Sequence, residues 1–547
     1  MAVDRQELHR RIELLREKLE TGKIHVASHL IEGFRNSISK VRYAKDGLVD
    51  PDSVDGRIRA MCLGIAVQHD RDEWKKAVSL KEIQQAYFAR VEHNFGPLYE
   101  MMLKADASPY QFARWYSSKK EHVDNSFPEE FINELKEFWD KISDPTWIHI
   151  EDSFNLKGVF GGEIFPDGAT NVASWAGIYL DTLVLPDPFL KISSIVSLMP
   201  PEEKIYQVLR IGLQVLGYKK LVLTDITPPL VAILPDKIHM EKEYHEFVIH
   251  SAGLDTLTHA NRIFGHTFSE IEELKEYLSK YKSSSDLVNA IKDPRYLVFA
   301  TEWEGSLEDH INRYIKEMYQ KIGMITPGEA VISQLHSRFC QSNDLYHRSI
   351  DVHGVPIISA ETSWLWYKWM LENSSHIQPS SNIEDLHITH ALQTSVPNEI
   401  TWIGDIPADA LIEMRKSGAM NEIRDILRSG IKELIELNPS NFHSTGDKVF
   451  KNLDKAFTDH EVKLKELSSK KWKFAGRDIG SFLVVGGIEI AAAITGLPLY
   501  GTAAAVASMS GLIPTAKEIN EKYNHISKQK DEVLNSGVGI LFKHNKK

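Results

Sequence analysis

From Ser481 to Ala516 the chain carries one charged residue, Glu489. Charge ends at Asp478 and resumes at Lys517, in a chain that is otherwise 26% charged. So long an apolar stretch must be shielded from water, inside a protein core or in a bilayer. Pro498, flanked by Gly496 and Gly501, divides it, which predicts an apolar helical hairpin over 479–516. As a helix, the first arm (479–496) would be about 27 Å long, close to a hydrocarbon core of about 30 Å. The second arm (502–513) would reach about 18 Å, too short to span. Glu489 in mid-helix would cost on the order of 3 kcal/mol in a bilayer. Gly487, Ala491 and Thr495 form a row of small residues that lets a second helix come close. A hairpin packed in the resting protein meets these constraints. Its membrane-active version inserts the first arm, with Glu489 facing a lumen or a partner.

The rest of the chain is ordinary globular material. It has 547 residues, 42% hydrophobic, enough for several domains. The net charge of -12 disfavours extended nucleic-acid binding, which needs clustered Lys and Arg, without excluding a local basic groove. Two distant cysteines, Cys62 and Cys340, cannot frame a disulfide scaffold. The charged N-terminus has no apolar leader core, so the expected location is the cytoplasm, with membrane association on activation.

Periodicity predicts a helix-rich mixed α/β fold. Residues 1–145 read as a helical N-terminal region, opening on an amphipathic helix over 4–35. Residues 146–305 read as an α/β region. Its expected strands are "GIYLDTLVL", "KKLVLTD", "LVAILPD" and "YLVFATEW", each bounded by Pro, Gly or Asp. Residues 306–437 read as mainly helical with one or more strands, among them "NEITWIGDI". Residues 438–547 read as C-terminal helices that include the hairpin.

Three constellations carry chemistry on paper. Asp181, Asp187, Asp225, Glu302 and Glu304 close the expected strands. Carboxylates gathered at strand ends can hold Mg²⁺ or Mn²⁺ for phosphodiester chemistry, which predicts a metal-dependent hydrolase or nuclease. The competing reading is turn-forming aspartate. His336, Cys340, His347 and His353 supply donors that zinc takes, although no Cys-x2-Cys knuckle accompanies them. They predict a zinc-stabilised binding module. The densest histidine run, His239, His245, His250, His259 and His266, has spacing that turns the first three to different faces, so these read as individually satisfied side chains. The Trp364–Trp369 cluster reads as packing.

The chain has no G-x-x-x-x-G-K-[ST], no G-x-S-x-G and no H-E-x-x-H. No cofactor is indicated. The leading expectation is therefore a cytoplasmic assembly or effector protein, working through protein partners or self-association. A membrane-active effector or partner-binding subunit of a prokaryotic stress or antiviral defence system is its specific form.

Overall fold

The computed structural model describes residues 4–24, 29, 31–119, 126–166, 171–322, 325–373, 383–395, 404, 406–438, 441–469, 473–474, 477–478, 528–529 and 531–545. The chain has a helix-rich mixed α/β fold. It divides into two compact units, one from 1–87 and 138–153, the other from 88–137 and 154–547.

The first unit is helical. Leu8, Ile12 and Leu15, at three- and four-residue spacing, bury one face of the helix Arg5–Glu20 against Ile58 and Cys62 of the helix Gly56–Ala77. The periodicity predicts a continuous helix to residue 35. The first helix instead ends at Glu20, with Gly22 beyond the C-cap in the left-handed region (φ 66°). Arg71 and Lys75 hold the end of the helix Phe127–Glu151 at Asp152, at 2.7 and 2.6 Å.

The second unit is built on a four-stranded sheet: β1 (Lys157–Phe160), β2 (Thr182–Pro186), β3 (Val231–Leu234) and β4 (Val355–Ile357). The order is β3-β2-β1-β4 and every pairing is parallel. Nearly every strand residue is buried, as parallel sheets covered by helices require. The helix Pro201–Leu223 packs on β3, and the helix Pro327–Asp351 on β1 and β4.

Two expected strands are not strands. Lys219–Leu223 continues the helix Pro201–Leu223, whose buried face includes Leu213, Leu216 and Leu221. The stretch around Leu297–Ala300 is buried without ladder bonds. Its carbonyls are satisfied by side chains: Gln334 Nε2 donates to Val298 O and Phe299 O at 2.9 and 3.0 Å, and Trp366 Nε1 to Val298 O at 3.2 Å. Of "NEITWIGDI", residues 398–403 and 405 lie outside the described residues, as does the whole hairpin expected at 479–516, with Gly487, Glu489, Ala491 and Pro498. Among the described residues no helix is long and apolar enough to cross a membrane.

Candidate ligand site at the open edge of the sheet

In a parallel sheet the residues before the strands share one edge and those after them share the other, where ligand sites gather. Here β2 and β3 both run into Leu-Pro-Asp, Leu185–Asp187 and Leu234–Asp236. Both aspartates are fully buried. Each caps the helix that follows: Asp187 Oδ1 accepts from Phe189 N at 2.9 Å, and Asp236 Oδ1 from Ile238 N at 3.3 Å.

Capping uses one oxygen of Asp236. Its Oδ2 accepts no hydrogen bond from any described residue. The nearest basic side chains are His239, with Nδ1 at 3.5 Å, and Lys191, with Nζ at 3.9 Å. Burial alone would raise the Asp236 pKa. The His239 side chain and the charges of Lys191 and Arg348 outweigh it and hold the carboxyl well below the usual range. Lys191 Nζ also donates to Glu163 O, at 3.0 Å, so one ammonium ties the ends of β1 and β3. Burial pushes the Lys191 ammonium down from its ordinary value. Behind it lies the buried pair Arg348–Asp344, bonded twice at 3.0 and 2.6 Å. Arg348 Nη1 has no hydrogen-bond partner among the described residues.

A cavity of about 580 Å³ opens beside this cluster. Its walls are the first turns of Phe127–Glu151, the end of the helix Pro188–Val196, and residues 238–245. The size suits a small molecule, for which sites run to roughly 300–1,000 Å³. His239 belongs both to the cavity wall and to the ionic cluster. A histidine 3.5 Å from a buried carboxylate can bond a ligand or move a proton. At the reversal of strand order, between β1 and β4, side chains occupy the space instead. Ser363 Oγ donates to Gly162 O at 2.9 Å and Ser359 Oγ to Glu163 Oε1 at 3.1 Å.

The five carboxylates of the hydrolase reading do not assemble. Asp187 alone lies beyond a strand's carboxyl end. Asp181 precedes β2, at the opposite edge, where Arg415 and Arg424 engage it. Asp225 lies in the loop that enters β3, and Glu302 and Glu304 in the turn before the helix Leu307–Ile322. The zinc set separates as well. His336 Nε2 and Cys340 Sγ meet at 3.6 Å on one helix face, as their spacing implies. His347 packs edge-on against Phe247, and His353 lies past the helix end at φ 51°. Among the described residues no group of three or more His, Cys, Asp or Glu is placed to hold a metal ion. Burial pushes the Cys340 thiol up to about 12, away from nucleophile chemistry.

His259 is a satisfied core histidine, bonded to Tyr296 O at 2.8 Å and to Asn373 Nδ2 at 3.0 Å. His239, from the same histidine run, is a candidate site residue that spacing among the histidines could not find: Asp236 lies three residues before it, but Lys191 comes from a separate helix. One signal was present in the sequence: the repeated Leu-Pro-Asp that ends two apolar runs. Comparison with protein-family models, with curated proteins and with solved structures finds no match for this chain.

Proposed function

We propose that this chain is an assembly or effector protein whose α/β unit is governed by a small molecule held in the cavity at the open edge of the sheet. The observation that supports the reading best is the Asp236–His239 pair, at a strand's carboxyl end, with the imidazole on the wall of a 580 Å³ cavity. Buried ionic groups with unmet hydrogen-bonding capacity favour a polar ligand over a structural role alone.

The test is thermal unfolding of the full chain against a panel of nucleosides, nucleotides, sugars and amino acids. Ser194 is exposed and lines the cavity, so Ser194→Trp fills the space without entering the core. A ligand at a hundredfold its Kd should stabilise the wild type by about 2.7 kcal/mol and leave the Trp variant unmoved. A panel in which no compound shifts the wild type removes the reading.

The output belongs to the apolar run 481–516, which the effector reading takes as packed at rest and released toward a membrane or a partner. Liposome leakage by the full chain, compared with a chain ending before Ser481, tests the membrane form. Equal leakage by both, or none from either in the presence of a ligand that binds, leaves partner binding or self-association as the output.

A further inference from the structure

The wall of the same cavity constrains what enters it; the argument rests on the proposed ligand site. Lys136 and Lys242 are matched on this wall by Glu129 and Glu241. Lys204 holds Glu129 at 2.5 Å, and Glu246 lies 3.6 Å from Lys242. A wall balanced in this way offers a charged ligand little to offset its lost hydration. The remaining polar groups are three serine hydroxyls (Ser193, Ser194 and Ser197), the Asn133 amide and the imidazoles of His239 and His245. Such groups donate and accept, and so match ligand hydroxyls, which do both. Ile132, Val196, Ile238 and Met240 add an apolar flank suited to a flat ring or the C–H face of a sugar.

A second observation is independent of the lining. Asp236 Oδ2, fully buried, lacks a hydrogen bond from any described residue, and His239 stands beside it on the cavity wall. A carboxylate in that condition braces an imidazole most strongly when the ring's other nitrogen is also engaged. A ligand hydroxyl supplies that engagement without bringing in charge.

We infer that the cavity takes an uncharged vicinal-diol ligand of nucleoside or small-sugar size, with one hydroxyl bound by the His239 imidazole that Asp236 orients. Asp236 is a positioning residue; His239 touches the ligand.

Calorimetric titration of the full chain tests this with named probes: adenosine and uridine, their 2′,3′-dideoxy analogues, sucrose, and adenosine monophosphate. The two nucleosides and sucrose separate the two sources of the diol. The expected result is binding of one class. The matching dideoxy analogue should be weaker by about a hundredfold, because the site's polar groups are left unpaired. Asp236→Asn keeps the cap and the shape while weakening the brace on His239, and should lower affinity about tenfold. His239→Gln should abolish discrimination against the dideoxy analogue. Equal binding of diol and dideoxy ligands, or tighter binding of the monophosphate, overturns the diol assignment. If Ser194→Trp blocks that binding, the cavity still stands as a ligand site. Absence of binding by every uncharged probe overturns the inference outright, and a response to another compound of the wider panel then decides whether the site survives.

Discussion

Arg348 shows how much can depend on one side chain. It is 1% exposed and bonded twice to Asp344, itself buried, with Tyr244 bonded to the same carboxylate at 3.2 Å. Arg348→Ala would leave a buried carboxylate without its cation and should cost about 3–5 kcal/mol. The double change Arg348→Met with Asp344→Leu should cost far less, since no charge is then stranded. Urea unfolding of the three proteins checks this; equal losses from the single and double variants would mean that packing, not charge, is what Arg348 supplies. A second prediction at this scale concerns pH. Burial lowers the pKa of His259 from 6.5 to about 4. Between those values the unfolded chain binds a proton that the folded chain does not. Stability from this residue is therefore full above about pH 6.5 and falls as pH drops toward 4, by up to about 3 kcal/mol. Unfolding at pH 7 and pH 5 should show a smaller loss for His259→Gln than for the wild type, and an identical loss would exclude His259 as a source.

At the scale of elements, local chemistry and packing can be separated by glycine. Gly253 lies inside the helix Lys242–Phe264, and a Cβ built there meets nothing within 4 Å among the described residues. Gly253→Ala should raise stability by about 1 kcal/mol, the ordinary helix-propensity difference, read as a higher urea midpoint at unchanged slope. Gly158 in β1 is the opposite case. Its Cβ would strike Leu180 and come 2.7 Å from Ile357 Cγ1, across the strand from β4. Gly158→Ala should cost about 1–3 kcal/mol by overpacking. Both are glycines within regular elements, and only the surroundings distinguish them. The same division explains what was legible in the sequence. The helix Pro327–Asp351 announces itself through Thr326, Pro327 and Glu329, whose capping box forms at 3.2 and 2.7 Å. β2 and β3 are apolar runs with proline and aspartate behind them. β1 and β4 are four and three residues long and give no period to detect. Leu297–Ala300 has a strand's composition and takes its hydrogen bonds from Gln334 and Trp366 instead.

Across the whole second unit, the edge of the sheet opposite the candidate ligand site is an anchor. Arg415 and Arg424 both bond Asp181, the second at 2.7 Å, while Arg424 Nε reaches Tyr179 O at 2.7 Å. Arg428 bonds Asp385 at 2.8 Å and the Tyr179 hydroxyl at 2.9 Å. Burial would raise the Asp181 pKa, but the guanidinium groups and the Leu156 N–H hold it below the ordinary carboxylate range. This network ties the helices Ala408–Ser417 and Met420–Arg428 to the sheet. Asp181→Asn should speed amide hydrogen exchange across 408–428 while leaving the helix Gly56–Ala77 of the first unit unchanged; unaltered exchange in 408–428 would mean that apolar packing alone holds those helices.

Asp181 and Asp187, six positions apart, look alike in the sequence: acids flanking one apolar run. The run's composition determined by itself that a buried strand lies between them, because solvent exclusion acts on each stretch of side chains wherever the chain later goes. That Asp181 anchors two helices, while Asp187 caps one and Asp236 lies beside the candidate ligand site, was decided only by tertiary structure. Arg415 and Arg424 stand 234 and 243 residues from Asp181, and Lys191 and Arg348 reach Asp236 from separate helices. A charge's role depends on distance through space in a low-dielectric interior, and spacing along the chain limits that distance only for neighbours within a turn or two.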